Sequence, residues 1–132
     1  MTKEELQNYR RLKSEQDDLK DKIKEIDNEL YSLRIGTRDG TPRGGAGNSY
    51  HVESLIDKKE KLKAKYYEQE TLLTEKTIAI EELIKTLPSK ERRLMRYHYI
   101  DGLTWESVCI AMNYSWSHVH RIHASALIRL GI

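Results

Sequence analysis

Residues 87–130 read LPSKERRLMRYHYIDGLTWESVCIAMNYSWSHVHRIHASALIRL, and this stretch decides the fold of the chain. The leading Leu-Pro pair ends one helical pattern, because proline cannot continue a helix. Ser89 is a residue type that caps helix N-termini, so it predicts the start of the next helix. That helix is predicted to end at Asp101-Gly102, where glycine permits a left-handed turn.

Two further helices are predicted after that turn. Thr104 suits the N-cap of a short helix over 105–112. Asn113 suits a left-handed helix end, and Ser115 suits the N-cap of a last helix over 116–130. A short helix, a turn of three residues and a second helix are typical of a helix-turn-helix, so this stretch predicts one.

The last predicted helix has two contrasting faces. At about 100° per residue, an apolar side that packs against the core consists of Val119, Ile122, Ala126 and Leu130. The opposite side consists of Ser117, His118, Arg121, Ala124 and Ser125. Small and hydrogen-bonding side chains suit a recognition helix in the major groove, and Arg121 is the best candidate for a bidentate contact to guanine. An ordinary surface helix, which is the alternative, is expected to carry Glu and Lys on that side.

Charge is distributed unevenly along the chain. Residues 1–88 carry 17 Lys and Arg against 18 Asp and Glu, whereas residues 89–132 carry 6 against 3. No acidic side chain follows Glu106. The C-terminal part can therefore approach a polyanion such as double-stranded DNA without like-charge repulsion.

The same 44 residues resemble region 4 of bacterial sigma factors, the domain that reads the −35 promoter element. The resemblance covers a third of the chain. It is carried by the Leu-Pro pair, the Arg-Tyr end of the first helix, and matching positions at Asp101-Gly102-Leu103-Thr104, Ser115, Val119, Ile122, Ala124, Ala126 and Leu127. Together with a long N-terminal helical hairpin, it is similar to the small phage and prophage regulators of the RinA and ArpU type.

The resemblance implies contacts to DNA at particular residues. It assigns Trp116, Ser117 and Arg121 to the −35 bases and the flanking backbone. It assigns Thr104 and Trp105 to phosphate. The chain departs from the family pattern, with Trp116 where Arg is usual, Ser117 where an acidic residue is usual and Arg121 where Gln is common. We therefore expect a different target sequence, and we expect no promoter melting because regions 2 and 3 have no counterpart.

Residue pattern and resemblance together give one set of predicted DNA-binding residues. They are Thr104, Trp105, Ser115, Trp116, Ser117, His118, His120, Arg121 and Ser125. An ordinary histidine has a pKa of about 6.5. His118 and His120 at this surface therefore predict DNA binding that strengthens between about pH 7.5 and about pH 6.

Two long helices are predicted before this stretch. Residues 3–34 contain neither Gly nor Pro and carry a helical seam at Leu12, Leu19, Ile23, Ile26, Leu30 and Leu33. Residues 51–86 carry a seam at strictly alternating gaps of three and four residues, a pattern typical of a left-handed coiled coil. Between them, residues 35–50 hold five of the seven glycines and predict a loop.

The simplest arrangement of these helices is an antiparallel hairpin joined at the glycine-rich loop. The seam residues predicted to mediate oligomerisation are Leu19, Ile23, Ile26, Leu30, Leu55, Leu62, Tyr66, Leu73 and Ile80. Further apolar residues, expected to be exposed, flank the seam at Leu6, Tyr9, Tyr31, Ile56, Tyr67, Leu72 and Ile84. We therefore expect hairpins of two chains to pair as a homodimer. The alternative is a monomeric hairpin folded back on the C-terminal helices.

Composition limits the class of protein. The chain has 132 residues, of which 33% are charged and 38% apolar, and it has no Phe. This supplies too little apolar surface for the wide core that encloses a substrate pocket. No run approaches about 18 apolar residues, and the start MTKEELQNYRR lacks an apolar signal region, so we expect a cytoplasmic protein without a membrane span. The single Cys109 fits a reducing compartment and is expected to be a small core residue.

Catalytic, metal and nucleotide sites are not predicted. On a helix, His118 lies about 140° or more from His120 and His123, so the three do not converge on a metal, and His123 is expected to pack toward the core. The loop glycines, which lack the Lys-Ser/Thr of a phosphate-binding loop, are Gly40, Gly44, Gly45 and Gly47. No nucleophile-base pair follows from spacing, so we expect no enzyme and no cofactor.

The sequence thus predicts an all-α chain with a helical hairpin over 1–87 and a helix-turn-helix domain over 88–132. We expect a DNA-binding transcriptional regulator. One alternative is the small subunit of a phage packaging terminase, which joins similar parts for assembly, and a ring of about eight or more subunits would favour it. Another alternative is a protein that binds host RNA polymerase or a sigma factor through the hairpin.

Overall fold

The computed structural model describes residues 1–38 and 46–132. These residues form helices and connecting turns without a strand, so the predicted all-α class is confirmed for them. The elements in chain order are α1 (Lys3–Arg38), α2 (Ala46–Ile84), α3 (Ser89–Met95), a π-helical segment (Arg96–Ile100), α4 (Trp105–Met112) and α5 (Trp116–Leu130). None of the helices in the described ranges is long and apolar enough to span a bilayer.

The bounds of α4 and α5 are those predicted from their caps, whereas the two long helices differ from prediction. Helix α1 continues to residue 38, and α2 begins at residue 46 and ends at residue 84. The predicted loop over 35–50 was therefore too long at both ends, and residues 39–45 lie outside the described residues. Extending an existing helix by one residue is cheap compared with nucleating it, so the isolated glycines near each end do not stop it.

Contacts divide the chain into two compact units. Unit 1 consists of Met1–Ser14 together with Thr71–Ile132, and unit 2 consists of Glu15–Glu70. This division differs from the one predicted at Pro88. The first turns of α1 and the last turns of α2 belong with α3, α4 and α5.

Unit 2 joins α1 and α2 through polar side chains. The Gln16 amide nitrogen donates to the carbonyl of Tyr66 at 2.8 Å and to the carboxylate of Glu70 at 2.9 Å. Further toward the C-terminus of α1, Asp27 pairs with Lys59. Later residues of α1 thus meet earlier residues of α2, which makes the two segments antiparallel.

The apolar seam of unit 2 is covered within one chain. Leu19, Ile26 and Leu55 are buried, and Ile23, Leu30, Leu62 and Tyr66 are half-buried. Leu19, Ile26 and Leu55 are thus covered by their own chain, and the pairing of two chains stays a prediction. Lys59, which interrupts the seam, pairs with Asp27 of its own chain and so helps to fix the register of this antiparallel contact.

Unit 1 has a dense core to which both long helices contribute. Leu6 and Tyr9 of α1 and Ile84 of α2 were expected at an exposed flank, but they are 0%, 2% and 0% exposed. They pack in one cluster with residues of α3, α4 and α5. Leu73 and Ile80 lie in the same cluster, so these two seam residues are also covered by their own chain. The reason is that these parts of α1 and α2 are apolar on more than one side, and such a helix is buried on more than one side.

The start of α3 differs from prediction by one residue. Pro88 occupies the N-cap position, and Ser89 is the first residue of the helix. No side chain makes a capping hydrogen bond at this helix start. The Arg92 amide donates to the Pro88 carbonyl at 2.9 Å. The first turn of α3 therefore begins one residue earlier than it would if Ser89 were the N-cap. At the other end, Arg96 forms a bidentate ion pair with Glu81 of α2, with distances of 2.7 and 2.8 Å.

Candidate nucleic-acid interface

The turn between α4 and α5 has the predicted geometry. Asn113 ends α4 in the left-handed conformation, with φ 57° and ψ 44°. The Tyr114 amide donates to the Cys109 carbonyl at 3.1 Å, which closes the helix end. The Ser115 hydroxyl accepts from the amide of residue 118 at 3.2 Å and caps α5. At the start of α4, the Thr104 hydroxyl accepts from the amide of residue 107 at 3.1 Å.

Helix α5 buries one face and exposes the other, as predicted. Val119 and Ala126 are buried, and Leu127, which the pattern did not single out, is buried beside them. Ile122 and Leu130 are half-buried. The exposed face carries Ser117, Arg121 and Ala124.

Two residues at the start of α5 keep part of their surface accessible. Trp116 is 53% exposed and rests against His120, with ring centroids 4.4 Å apart. His118 is half-buried and meets Tyr114 of the turn edge to face, with ring centroids 4.5 Å apart. Both positions therefore remain consistent with the predicted site.

Trp105 and His120 are half-buried in an aromatic cluster, and their predicted contacts to DNA stay predictions. The Trp105 ring stacks on His98 at 3.7 Å with an interplanar angle of 15°. It also lies 4.5 Å from the His123 ring and 5.0 Å from the His120 ring. The Nε2 atom of His120 is buried without a hydrogen-bond partner. The first residue of α4 thus points toward α5 and the π-helical segment, because the apolar area of an indole is worth more buried than exposed.

The other two histidines of this cluster are held neutral by burial. The Nδ1 of His98 donates to the carbonyl of Leu103 at 2.8 Å, and the Tyr99 hydroxyl is hydrogen-bonded to Nε2 of His123 at 2.8 Å. Desolvation lowers the pKa of His98 to about 4 and the pKa of His123 to about 4. Burial raises the pKa of Tyr99 to about 12. His123 thus packs inward, as predicted.

Basic residues of α1 hold the chain that leads into α4. The guanidinium of Arg10 donates through Nε to the carbonyl of His98 at 3.2 Å. Its Nη2 donates to the carbonyls of residues 102 and 103 at 3.4 and 3.3 Å. Lys13 donates to the carbonyl of Ile100. Cations satisfy unpaired carbonyls at a helix C-terminus, so α1 fixes the end of the π-helical segment and the turn after it. Nothing in the local spacing of α1 indicates this role.

A groove of about 470 Å³ lies between α3 and α5. Residues 88–91 line one side, and His118, Arg121, Ile122, Ser125 and Arg129 line the other. The Ser125 hydroxyl donates to Glu91 at 2.8 Å. Ser125 also lines the groove, and its predicted contact to DNA stays a prediction. Glu91 was not singled out from the sequence, although it is the only carboxylate within the first turn of α3.

The described residues contain no group of three His, Cys, Asp or Glu side chains placed to hold a metal ion. His120 and His123 turn toward Trp105, whereas His118 turns toward Tyr114. Cys109 is half-buried against the core, in line with the role expected for it. Of the loop glycines, Gly40, Gly44 and Gly45 lie outside the described residues, and Gly47 is in α2.

Comparison with models of known protein families, with curated proteins and with solved structures gives no match for this chain.

Proposed function

We propose that the chain is a sequence-specific transcriptional regulator that binds double-stranded DNA by placing α5 in the major groove. The observation that carries this proposal is the outward face of α5, where Arg121 is exposed between two small residues, Ser117 and Ala124. Arg121 makes no hydrogen bond or ion pair to another described residue, so its guanidinium is available to a ligand. A slim helix with one free guanidinium can enter the groove and donate two hydrogen bonds to guanine.

The surroundings of Arg121 support the same reading. No carboxylate follows Glu106 in the sequence, so α5 carries no negative side chain. The Ser115 hydroxyl accepts one hydrogen bond as the cap of α5 and still has its own proton to donate to a phosphate. Trp116 exposes about half of its surface beside this cap and is suited to contact the sugar-phosphate backbone.

Selection of binding sites from random duplexes tests this proposal on the full chain. We expect enrichment of sites with a required guanine, and Arg121→Ala should cost about 1 to 3 kcal/mol on the selected duplex and little on random DNA. Arg93→Ala is the matched control, because Arg93 is an exposed arginine of α3 that does not line the groove. Absence of enrichment, or an equal loss on selected and random DNA, would contradict the proposal.

A homodimer remains part of the proposal, with a changed interface. The seam is covered within one chain, so pairing of two chains is assigned to the exposed apolar residues of unit 2, which include Tyr31, Ile56 and Tyr67. Sedimentation of the wild type and of Ile56→Glu measures this directly, and a dissociated variant with unchanged helix content is the expected result. A ring of about eight or more subunits would instead favour the terminase alternative. Recruitment of host RNA polymerase is the natural next assay for a chain that binds DNA as proposed.

A further inference from the structure

The groove between α3 and α5 carries more positive than negative charge. Lys90, Arg121 and Arg129 contribute three permanent cations, and Glu91 contributes one carboxylate. Arg121, the residue proposed to read a base, also lines this groove. A ligand in this groove therefore meets a cationic surface that is continuous with the proposed base contact.

The single carboxylate is used to orient one of the cations. Glu91 is 7% exposed, and its Oε1 accepts from the Ser125 hydroxyl at 2.8 Å and from Nε of Arg129 at 3.0 Å. A guanidinium has five N–H donors, and this bond uses one of them. The Arg129 side chain stays 59% exposed. Glu91 thus anchors the guanidinium through Nε, while more than half of the Arg129 side chain stays accessible to solvent.

A second cation is held at the opposite end of the groove. The Nζ of Lys90 lies 5.4 Å from the ring centroid of Tyr114, which belongs to the turn before α5. This distance is within the range of a cation–π contact. Lys90 and Arg129 are therefore restrained on either side of Arg121 along the groove, one near the start of α5 and one near its end.

We propose that this groove holds the sugar-phosphate backbone of one DNA strand, with Lys90 and Arg129 binding phosphates that flank the base contact of Arg121. The inference rests on the proposed function and adds the path of the backbone to it. Phosphate contacts fix the position of a recognition helix and carry no sequence information themselves. Fixed cations suit this task because little side-chain entropy is lost when phosphate binds.

The salt dependence of binding tests the groove on the full chain, with the selected duplex and a scrambled duplex as probes. Each phosphate contact contributes about −0.9 to the slope of log affinity against log salt. Lys90→Ala and Arg129→Ala should each flatten the slope by about 0.9 on both duplexes, and the double variant by about 1.8. Arg93→Ala, an exposed arginine outside the groove, should leave the slope unchanged. Arg129→Lys should also keep the slope, because it retains the charge without the Nε bond to Glu91.

The outcomes separate this inference from the proposed function. If both alanine variants keep the wild-type slope while the wild type still prefers the selected duplex, the groove assignment is overturned and the function stands. A loss confined to the selected duplex would also overturn it, because that result marks a base contact. If Arg93→Ala flattened the slope as much as Lys90→Ala does, the change would follow from the loss of net charge alone. That result would also overturn the groove assignment. If the wild type binds neither duplex, both proposals fail.

Discussion

Unit 1 and unit 2 use the same two long helices in different ways. In unit 2, α1 and α2 share one narrow apolar seam and add polar contacts such as the pair between Asp27 and Lys59. In unit 1, the ends of the same helices are enclosed by α3, α4 and α5, and Leu6, Ile80 and Ile84 are completely buried. A heptad seam therefore predicts the buried residues of a helix only where a single partner helix packs on it.

The two units also treat titratable groups differently. Unit 1 buries His98 and His123 in a neutral state beside Trp105. The histidine of unit 2, His51, is half-exposed and pairs with Glu29 at 3.1 Å. Unit 1 is therefore the part whose stability should depend on pH in the mildly acidic range.

Acidification should produce the largest difference between the units. His98 and His123 bind protons near pH 4 when folded and near pH 6.5 when unfolded, so the unfolded state holds more protons between these values. The two histidines therefore cost no stability above about pH 6.5. Below that pH, the free energy of unfolding falls toward about pH 4 by up to about 1.4 kcal/mol per pH unit for each histidine. Fluorescence reports on unit 1 alone, because both tryptophans lie in it.

A variant sharpens this pH test. His123→Gln removes one of the two titrating groups. The slope of the free energy of unfolding against pH, between about pH 6.5 and about pH 5, should therefore decrease by the contribution of up to one proton. The charged and titratable neighbours Lys3, Arg10 and His120 remain in place in this variant. A pH dependence equal to that of the wild type would contradict the assignment.

Core truncation should give the next largest effect. Leu6→Ala empties a fully buried position of unit 1 and should cost about 2 to 5 kcal/mol. Leu62→Ala is the matched substitution in unit 2, where the side chain is only half-buried, and it should leave the urea midpoint of tryptophan fluorescence unchanged. An equal shift for both variants would mean that the two units unfold as one, and the contrast between them would be lost.

Removal of the Arg10 contacts to the chain that leads into α4 should have an intermediate effect. Arg10→Ala removes the hydrogen-bond donor of the carbonyls of residues 98, 102 and 103. It should destabilise unit 1 by about 1.5 to 3 kcal/mol, because the lost hydrogen bonds come from a charged donor. The same measurement on Lys22→Ala, an exposed cation of unit 2, should show no change. If the chain binds DNA as proposed, Arg10→Ala should also weaken that binding, because Arg10 fixes the turn before α4. Unchanged stability would show that water replaces the guanidinium without loss.

The smallest effect should come from the polar contacts of unit 2. Lys59→Ala removes a partly exposed ion pair with Asp27 and should cost less than about 1 kcal/mol. Lys61→Ala breaks the exposed pair with Asp57 four residues earlier and should cost about 0.3 to 0.5 kcal/mol. Thermal unfolding followed by helix content at low and high salt measures both. A larger loss for Lys61→Ala would reverse the order that burial predicts.

Local chemistry was enough to predict the bounds of α4 and α5 and the turn between them. The caps at Thr104 and Ser115 and the left-handed Asn113 depend on hydrogen bonds between residues close in sequence, so their positions follow from residue type. The exposed face with Arg121 follows from helical periodicity in the same way. The sigma-region resemblance assigns a DNA contact to Trp105 as well, and in the structure this half-buried side chain stacks on His98.

The remaining errors have one physical origin. A seam with one partner predicts that Leu6, Tyr9 and Ile84 are exposed, whereas in the structure they lie in one buried cluster with residues of α3, α4 and α5. Glu91 and Arg10 act through partners that are 34 to 93 residues distant. No periodicity reports such pairs.

The sequence by itself determined the all-α class, the bounds of α4 and α5 and the faces of α5, because these depend on backbone hydrogen bonds and spacing within a few turns. Only the tertiary structure decided which apolar residues were left exposed and which polar residues found partners within the chain. Burial is a property of everything that packs on a residue, and for Leu6, Trp105 and Glu91 those neighbours come from distant helices.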